Sequence, residues 1–159
     1  MESFNITNQK VFMNKLLSTE SFDNYLLKEA QIVTSNTFHI DGMENRDFYG
    51  NDEDIIKLEA PYDYAPWSRM RGIVLSLIKG KHTPVSMKIT MYLKPDLMKD
   101  VIGDESSVID YLIINLHFGS AGMNITTGVA YREFTLDKDQ EKIWDIHVGK
   151  MLETLGVGN

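Results

Sequence analysis

The stretch Val108-Ile109-Asp110-Tyr111-Leu112-Ile113-Ile114-Asn115-Leu116-His117-Phe118, then Gly119-Ser120-Ala121-Gly122, then Met123-Asn124-Ile125-Thr126-Thr127-Gly128-Val129-Ala130-Tyr131, decides the fold class. The first run is nearly continuous apolar sequence rich in branched residues, which suits a strand. A four-residue connection returns the chain as an antiparallel hairpin with Phe118 opposite Met123. That register puts Leu112, Ile114 and Leu116 on one face with Ile125 and Val129, so parity and hydrophobicity agree.

The same period extends outward. In residues 85–94, Val85, Met87, Ile89, Met91 and Leu93 alternate with Ser86, Lys88, Thr90, Tyr92 and Lys94. One face is buried and one is wet, the pattern of an antiparallel sheet covered on one side. In residues 25–41, Leu26, Ala30, Ile32, Phe38 and Ile40 share one parity, and Glu29, Gln31, Ser35, Thr37, His39 and Asp41 share the other. A two-residue loop at Ser35-Asn36 sends Ile32 and Phe38 to opposite faces, whereas an odd loop or one long bent strand keeps them together. A short strand near Phe4–Ile6 opens the chain.

Helical signals fill the intervals. Thr7 suits an N-cap before a stripe of Phe12, Met13, Leu16 and Leu17. Residues 66–79 carry Trp67, Met70, Ile73, Val74, Leu77 and Ile78 at helical spacing, with Pro66 at the first position and Gly80 as a left-handed cap. A short helix follows Pro95-Asp96 and stops at Gly103. The last helix starts at Asp137, has Gln140 as capping-box partner, carries Ile143, Trp144, His147, Val148, Met151, Leu152 and Leu155 on its face, and ends at Gly156. Residues 41–63 read as a long acidic surface loop with one short helix at 54–58, and loops of this length are often functional. The order predicts an α+β fold: a largely antiparallel sheet of about five to six strands with helices packed on one face, in a single domain over residues 1–159.

Composition narrows the function classes. The 159 residues are 43% hydrophobic and 25% charged, values that exclude disordered and fibrous chains. No run of 18 apolar residues offers a membrane span, and the N-terminus lacks the basic start and apolar core of a signal peptide. Cysteine is absent, which removes disulfides, thiolate metal sites and a cysteine nucleophile. A cytoplasmic location is the expectation.

The net charge of -7 conceals a division. Residues 64–94 hold no acid, while Arg69, Arg71, Lys79, Lys81, Lys88 and Lys94 give +6; residues 41–63 carry -6. Everything outside 64–94 amounts to -13. Such a balance makes nucleic acid an unexpected partner, and places the acidic loop over the basic element that follows it. Arg71 sits four residues after Trp67 and three before Val74, inside the apolar stripe of its helix. A guanidinium there needs a carboxylate, a carbonyl, a ligand anion or an outward path. An ion pair to the 41–63 loop is the plainer reading, and an anion clamp the sharper one.

No nucleophile elbow, phosphate loop, dinucleotide fingerprint or His-Glu-x-x-His pattern is present. His39 and His117 fall on the polar parity of strands, with Asn115, Asn124 and Glu29 able to approach them if the strands neighbour one another. A metal needs three or four converging ligands, so no metal site and no cofactor are expected.

Four groups of residues resemble an uncharacterised family of short proteins from anaerobic Gram-positive bacteria. They are Lys10–Leu17, Phe38-His39-Ile40-Asp41-Gly42 with Asp47-Phe48-Tyr49, Leu77–Pro84, and Phe134–Lys138 before Trp144-Asp145. That family has no assigned activity, so the resemblance implies no catalytic residue. The excess of Lys over Arg, 12 to 4, fits an AT-rich bacterial genome. The expected function is a non-enzymatic domain binding a protein partner or a small anionic ligand through Arg71, Arg69, Lys79, Lys81 and Lys88, with self-association open. Two alternatives stand beside it: an enzyme pairing an Arg71 clamp with a histidine acid/base, and an RNA-contacting sheet face.

Overall fold

The computed structural model describes residues 1–103 and 108–158. Its centre is the hairpin of β6 (Ile109–Gly119) and β7 (Gly122–Tyr131), in which Phe118 faces Met123, Leu116 faces Ile125 and Leu112 faces Val129. Pairing continues one step further, to Gly119 and Gly122, so only Ser120 and Ala121 form the turn. Outside this pair lie β5 (Ser86–Leu93), β2 (Tyr25–Val33) and β3 (Thr37–Asp41) on one side, and β1 (Ser3–Asn5) on the other. The order is β1-β7-β6-β5-β2-β3, antiparallel throughout. A seventh strand, β4 (Ala65–Pro66), pairs with Leu26 and Leu27 of β2. Two residues carry no alternation to read, which is why the sequence pattern stops at six strands.

The face bearing Met87, Ile89, Met91, Leu112, Ile114, Leu116 and Ile125 is buried under the helices. Helix α1 (Gln9–Ser18) contributes Phe12 and Leu16 to this core; α3 (Trp67–Ile78) contributes Trp67 and Val74. Between these helices in the chain lies α2 (Glu53–Glu59), which buries nothing. The short α4 (Met98–Ile102) adds Met98 and Ile102. The long α5 (Asp139–Leu155) adds Trp144, Val148 and Leu152. Both indoles are buried with their N–H groups satisfied: Trp67 donates to the Leu16 carbonyl at 2.8 Å and Trp144 to the Ile113 carbonyl at 3.0 Å. Trp67 thereby ties α3 to α1.

Several local expectations change. The β2–β3 loop is Thr34-Ser35-Asn36, the odd loop, and it keeps Ile32 and Phe38 paired on the core face. Leu26 does not share that face. A β-bulge between Leu27 and Glu29 inserts Lys28, so Tyr25, Leu27, Ala30 and Ile32 face the core while Leu26 pairs with Tyr92 on the other side. Simple parity cannot register an inserted residue. The N-cap of α1 is Asn8, whose side chain accepts from the Val11 N–H at 3.3 Å, and not Thr7. Helix α3 ends with Lys79 already extended, so Gly80 is not a left-handed cap, whereas Gly156 is one. Helix α5 begins two residues after Asp137, whose carboxylate accepts from the Asp139 N–H; Gln140 is buried.

Gly42 shows how tightly β3 is followed by the next segment. Its N–H donates to the Lys28 carbonyl at 2.9 Å, and a Cβ there would lie 1.8 Å from the Leu27 carbonyl oxygen. Gly42→Ala should therefore lower stability in urea unfolding by at least about 3 kcal/mol, since backbone cannot move aside as a side chain can. Gly72→Ala, on α3 with open space around it, should instead raise stability by about 0.5–1 kcal/mol.

Candidate functional site: the open face of the sheet

Because the helices cover one face, the opposite parity of every strand stands on the other. Register then lines residues up across strands. One row runs His39, Gln31, Lys88, His117 and Asn124; the next runs Asp41, Glu29, Thr90, Asn115 and Thr126. Together these ten residues line a concavity of about 750 Å³, with Lys28 and Met43 at its rim and Tyr64 at one end. That volume lies in the range of pockets for small molecules. A smaller hollow of about 380 Å³ shares His117 and Asn124 and leads towards the β6–β7 turn.

The chemistry of this surface is mixed. Thr90 donates to the Asn115 side-chain carbonyl at 2.8 Å, which holds the amide with its nitrogen turned away from Thr90. The Asp41 carboxylate accepts from the Met43 N–H at 2.9 Å, and Glu29 lies 3.7 Å from Lys28. His39 and His117 share a row but have two strands between them. At about 4.8 Å per strand their backbones stand about 14 Å apart, too far for one metal or one proton relay.

Tyr64 belongs to a cluster of three tyrosines. Tyr92 and Tyr111 stack with ring centroids 4.2 Å apart, and Tyr64 stands edge-on to both at 5.2 Å and 5.9 Å. Burial, reinforced by the Asp63 carboxylate 3.5 Å from its hydroxyl, pushes the Tyr111 pKa up to about 12. Tyr92 is raised too, again first by burial.

Of the five basic residues expected to bind an anion, only Lys88 lines this concavity. Arg71 lies in the helix layer, in an ion pair with Asp23 from the α1–β2 connection. An ion pair is thus its partner, though the acid comes from outside residues 41–63. Arg69 is the one that reaches that segment: its guanidinium pairs with Glu44 and donates to the Glu59 carbonyl at 3.1 Å. Lys79 and Lys81 are exposed beyond the end of α3. The five residues therefore do not converge, and Arg71 is not brought to either strand histidine. Gln31, Thr90 and Thr126 were not singled out in the sequence. Their only signal is polar parity, which becomes a row once strand order is known.

Residues 15–157 match the model of a family of unknown function, DUF5721, and the chain belongs to that family. No curated protein matches the chain, and no solved structure does.

Two measurements check this electrostatic picture. The Glu44 side chain is only 4% exposed, so Arg69→Ala leaves a buried carboxylate unpaired and should cost about 1–3 kcal/mol. Adding Glu44→Gln should recover part of that loss in a double-mutant cycle. The Tyr111 phenol keeps its proton when folded up to about pH 12, whereas an unfolded tyrosine loses it near 10. Its contribution to stability is therefore full below pH 10 and fades as pH rises towards 12. Tyr111→Phe should flatten the fall in unfolding free energy over that window.

Proposed function

We propose that this DUF5721 protein is a non-enzymatic binding module whose open sheet face holds a small ligand through an anionic group. The observation that carries the reading is the concavity of about 750 Å³ whose lining includes the row His39, Gln31, Lys88, His117 and Asn124. Every member of that row offers a hydrogen-bond donor in a suitable tautomer or rotamer, and Lys88 supplies a full positive charge. Among the described residues no ion pair engages Lys88, whereas Arg46, Arg69, Arg71 and Arg132 each have one. A carboxylate or phosphate would be its natural counter-charge.

An extended RNA strand fits the same face less well, because Glu29 and Asp41 would repel successive phosphates. An enzyme built on Arg71 and a histidine is likewise the weaker reading, since the sheet lies between them. The proposal includes a cytoplasmic compartment, favoured by the absence of cysteine. It also includes an anaerobic Gram-positive source, favoured by the sequence resemblance and the ratio of Lys to Arg.

The test is an NMR titration with propylphosphonate as the probe. Amide shifts should move in residues 28–31, 39–41, 86–90 and 115–117, and Lys88→Ala should weaken binding about tenfold or more, as expected for a charge-assisted hydrogen bond. Arg71→Ala should leave affinity unchanged. Shifts confined to the neighbourhood of Arg71 and Asp23, or none at all, would sink the proposal.

A further inference from the structure

The charged groups around the concavity do not form a simple anion site. Its lining holds two lysines, Lys28 and Lys88, and two acids, Glu29 and Asp41, so with neutral histidines it carries no net charge. Register sorts these charges. Lys88 stands opposite Gln31 and beside His117, in a row made wholly of potential donors. Glu29 and Asp41 stand opposite each other in the adjoining row, which continues through Thr90 to Asn115. Lys88 and Glu29 are thus diagonal neighbours on facing strands, with backbones about 7–8 Å apart.

From this arrangement we infer that the ligand is a small zwitterion, with its anionic group on Lys88 and His117 and its ammonium group on Glu29 and Asp41. The inference rests on the proposed anion-binding role of the open face. A bare anion seated on Lys88 gains one attraction and meets two carboxylates in the next row. An ammonium group two or three bonds from the anion turns that repulsion into attraction without moving a side chain. Like charges directly opposite on paired strands destabilise each other, and a cation placed between Glu29 and Asp41 relieves that repulsion. The Asp41 oxygen already accepting the Met43 N–H leaves the second oxygen of the same carboxylate for the ammonium. Lys28, at the bulge, lies 3.7 Å from Glu29, a separation that an incoming ammonium can displace at little cost. Tyr64 bounds the concavity beyond these two acids.

The experiment compares two phosphonates of nearly equal size, propylphosphonate and 2-aminoethylphosphonate, by calorimetric titration at pH 7.5. The zwitterion should bind about fivefold more tightly or better. The Glu29→Gln/Asp41→Asn double variant, altered only at exposed side chains, should erase that preference and bind propylphosphonate at least as well as the natural chain does. Lys88→Ala should weaken both probes. If propylphosphonate binds as tightly as its amino counterpart and Lys88→Ala still weakens it, the zwitterion inference falls while the anion site stands. If neither probe binds, or Lys88→Ala changes neither, the anion site falls and the inference with it.

Discussion

Successive side chains of a strand point to opposite faces, and this constraint organises the whole molecule. Burying Met87, Ile89, Met91 and Leu93 beneath the helices forces Ser86, Lys88, Thr90 and Tyr92 to the other side. The partners obey the same rule, so Ile114 and Leu116 turn inward as Asn115 and His117 turn outward. A slip of one residue would drive Lys88 into the core, where an unpaired ammonium is intolerable. The pressure that fixes the core register therefore also fixes which polar groups stand side by side on the open face.

The division of charge along the chain acquires a spatial meaning. Among the described residues, one ion pair joins the acidic segment 41–63 to the basic stretch 64–94, that of Glu44 with Arg69. Arg46 turns back within its own segment to Asp63 at 3.2 Å, and Arg71 meets Asp23. Lys94 lies over the Tyr62 ring at 5.6 Å. The basic stretch is thus dispersed over both layers, because a helix and a strand in sequence send their side chains to different sides of the sheet. A linear run of positive charge is not a patch.

The elements with strong periodicity were legible in the sequence: the hairpin of β6 and β7, the alternation of β5, and the stripes of α3 and α5. Their burial is decided by residues within one or two turns of each other. What escaped reading depends on a single inserted residue or on a distant partner. Lys28 reverses the facing of Leu26 with no mark in composition, and β4 exists only because Leu26 and Leu27 offer it an edge. The open face was half legible. His39, His117, Asn115, Asn124 and Glu29 were placed on the wet parity, yet their alignment with Lys88 required the strand order β7-β6-β5-β2-β3. Arg71 drew notice because it interrupts an apolar stripe, and the explanation is an acid in a connection that periodicity does not describe.

Strands β3 and β4 lie end to end along one edge of β2, with Asp41 opposite Glu29 and Ala65 opposite Leu27. The excursion between them leaves and rejoins the sheet at almost the same place, stitched by the Met43–Tyr64 bridge. Its helix α2 buries nothing, and Phe48 and Leu58 point into solvent. Away from its anchors at Glu44, Glu59 and Ala60, such an appendage can lengthen or shorten without disturbing strand register, because its two roots stay fixed. Both roots, Met43 and Tyr64, border the concavity. Variation can thus accumulate in a module that borders the concavity while the scaffold beneath it is held constant.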